Sequence, residues 1–314
     1  MTLHLAYVCP TFVVTVGDRL LTTIQGGTYA PFDAYSNKTV VVVGTNCAVA
    51  VAYTGLAHID GDPTANWIGE QILGRPLHPP RIPGSGNPVE FGRRNKVHLG
   101  EVVTRIRDAL QRDLSGQHAV EIAVAGMTFR RGWSPESMDP RHTHPVYIEL
   151  KHSGEKGAPT QVDPAKRMWR DQAGFKLFSI GTKVPPGVLD GLVIRIRALR
   201  GGSPDKIETL LVEAIRRTAL HTPVVGSDCM AVRFIRGVPE IQIRFSRDPA
   251  RTAAAFTPFV IGSNVVVPPQ IGAHGTPPII NSKPWTIIHR VAPPLPSSRI
   301  VHEMGSHAQR RFPG

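Results

Sequence analysis

The chain has 314 residues, 41% of them hydrophobic and 19% charged, which is enough material to bury a core in one large domain or two small ones. Its formal net charge of +12 would suit a polyanionic partner. However, the basic residues are scattered, and no run reaches the roughly five or six like charges of a nucleic-acid-binding arm. Composition therefore does not favour nucleic-acid binding, which stays open as an alternative function.

The three cysteines, Cys9, Cys47 and Cys229, are an odd number without CxxC spacing, which predicts neither a disulfide framework nor a zinc site. We therefore expect a reducing, cytoplasmic setting. The apolar segment 5–16 is not preceded by Lys or Arg and is interrupted by Pro10, so we do not expect it to be a signal peptide. No stretch approaches the roughly 18 apolar residues of a membrane-spanning helix, and we expect no membrane partner.

Three histidines lie near one another in the sequence, at His142, His144 and His152. No acidic residue or cysteine accompanies them at the spacing of metal ligands. We interpret them as loop histidines, and we predict neither a metal nor a cofactor.

The first half of the chain alternates apolar runs with turn signals. β-branched and apolar residues predict strands at 3–8, 12–16, 39–43 and 48–53. A helix is predicted over 63–73, with Asp62 as N-cap, Pro63 in the first turn and Gly74 at the C-terminal end. Apolar residues at three- and four-residue spacing predict a second helix over 96–114.

The second half repeats this order. Strands are predicted at 119–125, 145–150 and 175–180, helices at 184–199 and from Ser203-Pro204 onward, and a closing hairpin at 229–235 and 240–245. Runs of strands that alternate with pairs of helices favour segregated layers of the α+β class. We divide the chain into a domain at 1–247 and a Pro-rich, basic extension at 248–314.

Several segments resemble the proteasome-type N-terminal-nucleophile (Ntn) hydrolases, the family of proteasome β-subunits and the HslV peptidase. The segments are TLHLAYVCPTFVVTVGDR at 2–19, SNKTVVVV at 36–43, AVAVAYTGLA at 48–57 and IETLLVEAIRRTA at 207–219. The resemblance covers roughly residues 2 to 246. It implies a four-layer αββα sandwich, a threonine peptidase activity on peptide or protein substrates, and assembly into a homo-oligomeric ring.

The resemblance also implies the residues of the site. Thr2 would be the nucleophile once Met1 is removed, with its own α-amine as the base, because a threonine hydroxyl needs a base and an α-amine titrates near neutral pH. Asp18 and Lys38 match the family's Asp and Lys: the positive charge of the Lys lowers the pKa of the nucleophile and its amine, and the carboxylate fixes the Lys and compensates its buried charge. Gly55 matches the glycine that donates its backbone N–H to the oxyanion. Thr182 lies where the family has a supporting serine.

The same residues also allow simpler interpretations. Asp18 could form an ion pair with Arg19 at the end of a strand, Lys38 could be a solvated turn lysine, and Gly55 could be a turn glycine. Thr222 and Val225 fall closest to the places where the family normally has an Asp and a Ser. A non-catalytic scaffold or assembly subunit with the same fold is therefore the alternative function.

Overall fold

A computed structural model describes residues 2–25, 28–33, 36–59, 61–74, 89–90, 97–114, 118–129, 140–163, 174–199, 202–238, 240–246, 259–261, 265–267 and 285–290. The strands are β1 (Leu3–Val8), β2 (Phe12–Asp18), β3 (Leu21–Gln25), β4 (Thr28–Asp33), β5 (Thr39–Val43), β6 (Cys47–Thr54), β7 (His58–Ile59), β8 (Asp62–Pro63), β9 (Val89–Glu90), β10 (Val120–Phe129), β11 (Thr143–His152), β12 (Gln161–Val162), β13 (Lys176–Gly181), β14 (Cys229–Ile235), β15 (Glu240–Ser246), β16 (Phe259–Ile261), β17 (Val265–Val267) and β18 (Trp285–Arg290). The helices are α1 (Thr64–Leu73), α2 (Leu99–Asp113), α3 (Pro186–Ala198) and α4 (Pro204–Ala219).

Two large sheets dominate the described residues. One has six strands in the order β13-β1-β2-β14-β15-β18, and the other has eight in the order β12-β11-β10-β6-β5-β16-β17-β9. Neighbouring strands are antiparallel except for β16, which runs parallel to β5. Segregated strands and helices of this kind confirm the predicted α+β class.

Three apolar clusters connect these elements. The first joins α1 and α2 to the eight-stranded sheet, and the second contains residues from strands of both sheets. The third joins α3 and α4 to β1, β2 and β14. Successive residues of β1 enter different clusters, since Leu3 and Leu5 belong to the third cluster whereas Ala6 and Val8 belong to the second. This alternation places residues 2 and 4 on the side of the eight-stranded sheet.

Most predicted elements are confirmed within a few residues. The first hairpin turns at Cys9, whose backbone N–H donates to the Phe12 carbonyl at 3.1 Å, and α1 ends at Gly74 with a left-handed φ of 68°. Two details of the helices differ from the predictions. Pro63 is the N-cap of α1 because the helix begins at Thr64, after the small β7–β8 hairpin, and α2 begins at Leu99, after His98.

The structure also contains strands that the sequence pattern did not predict. The β3–β4 hairpin lies between Asp18 and Lys38, and β16 and β18 add strands of the segment after 248 to the two large sheets. The division at 247/248 stays a prediction. Much of that segment lies outside the described residues.

The interpretation of the histidines is wrong in part. His144 and His152 lie in β11, and the His152 ring nitrogen Nδ1 accepts the Gly154 N–H at 3.0 Å. They form part of a strand because Val146, Ile148 and Leu150 alternate along this segment as buried apolar residues of one cluster. Within the described residues, no group of three or more His, Cys, Asp or Glu side chains could hold a metal ion. No helix in the described ranges is long and apolar enough to cross a bilayer.

Candidate active site

The candidate site lies at the start of β1, where Thr2 enters the six-stranded sheet. Thr2 is 3% exposed, and its carbonyl accepts the Thr182 N–H at 2.8 Å. The antiparallel register pairs Leu3 with Gly181, so the end of β13 lies beside the start of β1. The topology thus brings two of the predicted site residues, Thr2 and Thr182, into direct backbone contact.

Asp18, the last residue of β2, is the centre of the hydrogen bonding. Its Oδ1 accepts the N–H of Leu3 at 2.8 Å. Its Oδ2 accepts the N–H groups of Leu20 at 3.1 Å and Gly226 at 3.0 Å, and also the Lys38 Nζ at 3.1 Å. The two oxygens of one carboxylate therefore connect the peptide that follows Thr2 with the ammonium group of Lys38.

Lys38 is a buried cation. Its side chain is 1% exposed, and its Nζ donates to Asp18 and to the Leu20 carbonyl. The interpretation as a solvated turn lysine is therefore wrong, and so is the pairing of Asp18 with Arg19, because the Asp18 carboxylate binds Lys38. The Arg19 guanidinium lies 5.0 Å from the centre of the Phe245 ring. A buried ammonium is stable only when such acceptors surround it.

The end of β13 fits closely against Thr2. Gly181 has a left-handed φ of 85°, and a Cβ at this position would lie 2.0 Å from the Thr2 carbonyl oxygen and 2.9 Å from Thr54 Cγ2. Only a glycine combines this φ with so little space. The next residue, Thr182, has a buried Oγ1 without a hydrogen-bond partner among the described residues. This hydroxyl can still donate or accept one.

Gly55 follows β6 at the same rim. Its φ is 107°, and a Cβ would lie 2.2 Å from the Ala119 carbonyl oxygen, so close backbone packing accounts for a glycine here. Its link to Thr2 runs through Thr54, whose methyl group approaches Gly181. Asp18, Lys38, Thr182 and the backbone at Thr2 thus form one hydrogen-bonded set. Within the described residues, Gly55 lies outside that set.

His4 is a site residue that sequence reasoning missed. It is 2% exposed, and its ring packs over Gly17, where a Cβ would lie 2.7 Å from His4 Cδ2. Burial, and then the positive charge of Lys38, lower the pKa of His4 from 6.5 to about 3. A neutral imidazole therefore lies on the Thr2 side of β1. The available signal was the strand alternation, which gives positions 2 and 4 the same face.

Glu121 is a second residue that was missed. Its Oε2 accepts the Gly181 N–H at 2.6 Å, so it ties β10 of one sheet to β13 of the other. Its Oε1 lies 3.3 Å from Lys151 Nζ, which also contacts Glu149 at 2.7 Å. An acidic residue in a strand gives no sequence signal for such a contact between sheets.

The segment before β14 contributes through its backbone. Val225 is 3% exposed and belongs to the apolar cluster under α3 and α4, and the following Gly226 donates its N–H to Asp18. A Cβ at Gly226 would lie 2.7 Å from Leu20 Cβ, which explains the glycine. This segment therefore supports the Asp18 carboxylate through its backbone, whereas the family's pattern has an Asp and a Ser side chain here.

Comparisons with known proteins correct the family assignment. No protein-family model matches the chain, and no curated protein matches it significantly. Among solved structures, it is similar to Anbu (ancestral beta-subunit) from Yersinia bercovieri, at 12% identity and a TM-score of 0.40 over 74% of this chain and 82% of that one. It is also similar to a mutant of Anbu from Hyphomicrobium sp. strain MC1, at 13% identity and a TM-score of 0.41 over 76% and 83% of the two chains.

The assignment to proteasome β-subunits and HslV is therefore wrong as made. The motifs behind it are short, and no family model matches the chain through them. At these identities and TM-scores the comparisons show a likeness of fold only, to Anbu.

Proposed function

We propose that the protein is a hydrolase of amide bonds whose nucleophile is the hydroxyl of Thr2, once the Met1–Thr2 bond has been cleaved. One observation carries the proposal: the Asp18 carboxylate binds the Leu3 N–H and the buried Lys38 ammonium together. Burying a cation beside the first peptide of a strand has a desolvation cost in free energy. A catalytic role would account for this cost if residue 2 carries a reactive amine and hydroxyl.

The proposed reaction has two steps. The free α-amine of Thr2 takes the proton of its own Oγ1, which attacks the amide carbonyl carbon; the C–N bond then breaks, and the proton passes to the leaving amine. Water next attacks the resulting ester, releases the acid and returns the proton to Thr2. The charge of Lys38 would lower the pKa of both the amine and the hydroxyl.

One further group fits the same chemistry. The Thr182 hydroxyl is buried and has no partner among the described residues. It could hydrogen-bond the α-amine of Thr2 and so orient this amine toward the Thr2 hydroxyl. The assignment of the Gly55 N–H as donor to the oxyanion stays a prediction, and the chemistry proposed here does not depend on it. We propose peptides or proteins as substrates, and a homo-oligomeric ring and cytoplasmic location stay predictions.

The packing supports, as part of this proposal, a four-layer arrangement. The three apolar clusters join helices to sheet, sheet to sheet, and sheet to helices in turn. In such an arrangement Thr2 would lie at the rim between the two sheets, where a substrate strand could approach.

The test combines intact mass with peptide hydrolysis. We expect purified active protein to lack Met1, and we expect Thr2→Ala to lower hydrolysis by at least about a thousandfold because no nucleophile remains. Thr2→Ser should retain activity, since it keeps a hydroxyl and is equally small. Thr104→Ala, the same change on the exposed face of α2, is the matched control and should not alter the rate.

Retention of Met1 in the active protein, or an unchanged rate in Thr2→Ala, would reject the enzyme. The second candidate, a non-catalytic scaffold subunit, is favoured by one observation: Thr2 is only 3% exposed in the chain as sequenced. If the Met1–Thr2 bond stays intact in cells, the hydroxyl remains closed to a substrate and the scaffold is the better explanation.

A further inference from the structure

Helix α3 contains more apolar residues than the neighbouring elements bury. Apolar residues occur on all its sides, at Val188, Leu189, Leu192, Val193, Ile194 and Ile196. Only Leu192 and Ile196 are buried, and they belong to the cluster shared with α4. Val188 and Val193 are half-buried, whereas Leu189 and Ile194 are 37% and 66% exposed. The helix therefore leaves large apolar side chains in solvent, which a partner would bury.

Ile194 is the centre of this outer face. It is 66% exposed, and it points away from Leu192 and Ile196, since two residues correspond to about 200° around a helix. Gly187, about two turns from it on the same side, has nothing within 4 Å of the position where a Cβ would be. The face thus offers a large apolar side chain and, about 10 Å along the axis, a position where another backbone can approach closely.

The charges on this face form a self-complementary pair. Asp190 and Arg197 lie on the same side of α3 as Ile194, and both are exposed. They are seven residues apart, which is about 10 Å along the axis and too far for an ion pair within the helix. In the described residues neither has an ion pair, whereas the neighbouring Arg195 binds Glu213 at 2.6 Å.

The midpoint between Asp190 and Arg197 falls beside Ile194. If two copies of α3 pack antiparallel about a two-fold axis at this point, Asp190 of each copy faces Arg197 of the other. The two Ile194 side chains then meet at the axis. An isologous contact requires this kind of self-complementarity, because each residue meets its counterpart under the same rotation.

We propose that the outer face of α3, formed by Gly187, Asp190, Ile194 and Arg197, is a two-fold interface with a second copy of this chain. This interface does not depend on the proposed hydrolase activity. A partner of different sequence could cover the apolar residue, but the Asp190–Arg197 symmetry would then serve no purpose.

Charge reversal tests the geometry. In the purified full chain, measured by sedimentation velocity, we expect Asp190→Arg alone and Arg197→Asp alone to halve the particle mass or raise the dissociation constant at least about tenfold, because each variant creates two like-charge contacts. The double variant Asp190→Arg/Arg197→Asp should restore the wild-type mass. Circular dichroism will show that all three fold, since both positions are exposed.

The apolar centre gives a second test. Ile194→Glu should halve the mass, whereas Leu220→Glu, at an 84% exposed leucine just after α4, should leave it unchanged. An engineered Ile194→Cys should form a disulfide-linked pair on mild oxidation, because Cys9, Cys47 and Cys229 are buried and Ile194 meets its own copy. Leu220→Cys is the matched control and should not cross-link.

The proposal is overturned if the wild-type chain is monomeric, if Ile194→Glu leaves the mass unchanged, or if the double charge swap fails to restore it. Loss of hydrolysis in Thr2→Ala does not bear on any of these readouts. The interface and the proposed activity can therefore fail separately.

Discussion

At the residue scale, the candidate site is organised by a carboxylate. The Asp18 carboxylate accepts hydrogen bonds from three backbone N–H groups and from one ammonium group. These four donors stabilise the negative charge of Asp18, which in turn balances the positive charge of the buried Lys38. The donors come from chain segments up to 208 residues apart, which ties the start of β1 to the segment before β14.

His4 should make the protein less stable in acid. The unfolded chain binds a proton at His4 below pH 6.5, but the folded chain binds it only near pH 3. Protons therefore favour the unfolded state across this window, and stability rises with pH. We expect the free energy of unfolding of the wild type to fall between pH 7 and pH 5 by about 2 kcal/mol more than that of His4→Gln.

Urea denaturation at the two pH values measures this difference. His221→Gln, a change at an exposed histidine, is the control and should show the wild-type pH dependence. Equal pH dependence in the wild type and His4→Gln would contradict a buried neutral imidazole at this position.

At the element scale, the close fit of β13 against β1 positions the site. The Thr182 N–H reaches the Thr2 carbonyl because Gly181 takes a φ of 85° without a Cβ, and Glu121 holds the Gly181 N–H from the other sheet. The strand end, and not a side chain alone, therefore fixes where residue 2 lies.

Gly181→Ala should disturb this fit. The new Cβ would lie 2.0 Å from the Thr2 carbonyl oxygen and would also be strained at this φ, so we expect a loss of more than about 3 kcal/mol in the free energy of unfolding. Gly157→Ala is the matched control, because Gly157 has a φ of 77° with nothing within 4 Å of a Cβ. It should show the strain alone, about 1 kcal/mol.

Thermal and urea unfolding of the two variants separate strain from contact. If Gly181→Ala were no less stable than Gly157→Ala, the close approach of β13 to Thr2 would be refuted.

The elements themselves were largely predictable. The strands β1, β2, β5 and β14 are short, mainly apolar segments that are buried on both sides, and such segments are recognisable without knowledge of their neighbours. The β3–β4 hairpin was missed because its residues, LTTIQ and TYAPFD, mix polar groups and a proline with few apolar residues. Its strands pair with each other and not with the large sheets.

At the scale of the whole molecule, the segment after 248 contributes strands to both sheets. β16 lies beside β5, and β18 lies beside β15. Ile261 at the end of β16 is 1% exposed and belongs to the cluster with α1 and α2. These pairings fit an extension that wraps around the preceding residues.

Truncation after residue 247 should therefore destabilise the protein. The backbone edges of β5 and β15 would lose their neighbours, and exposed edges promote aggregation. We expect the shortened chain to aggregate or to melt at least about 5 °C lower, measured by size-exclusion chromatography and thermal unfolding. Ile261→Ala in the full chain should cost about 2–5 kcal/mol. A truncated chain as stable as the full one would show instead that 1–247 folds independently.

The sequence by itself determined the central strands of the two large sheets, the four helices and the α+β class, because burial and helix periodicity act on residues that are close in the chain. It also identified Asp18 and Lys38 as a pair worth testing. Tertiary structure alone decided which donors hold Asp18, that Lys38 is buried, and that His4 and Glu121 lie beside Thr2. Backbone N–H groups are the same in every non-proline residue, so no sequence pattern distinguishes the amide of Gly226 until the fold brings it to the carboxylate.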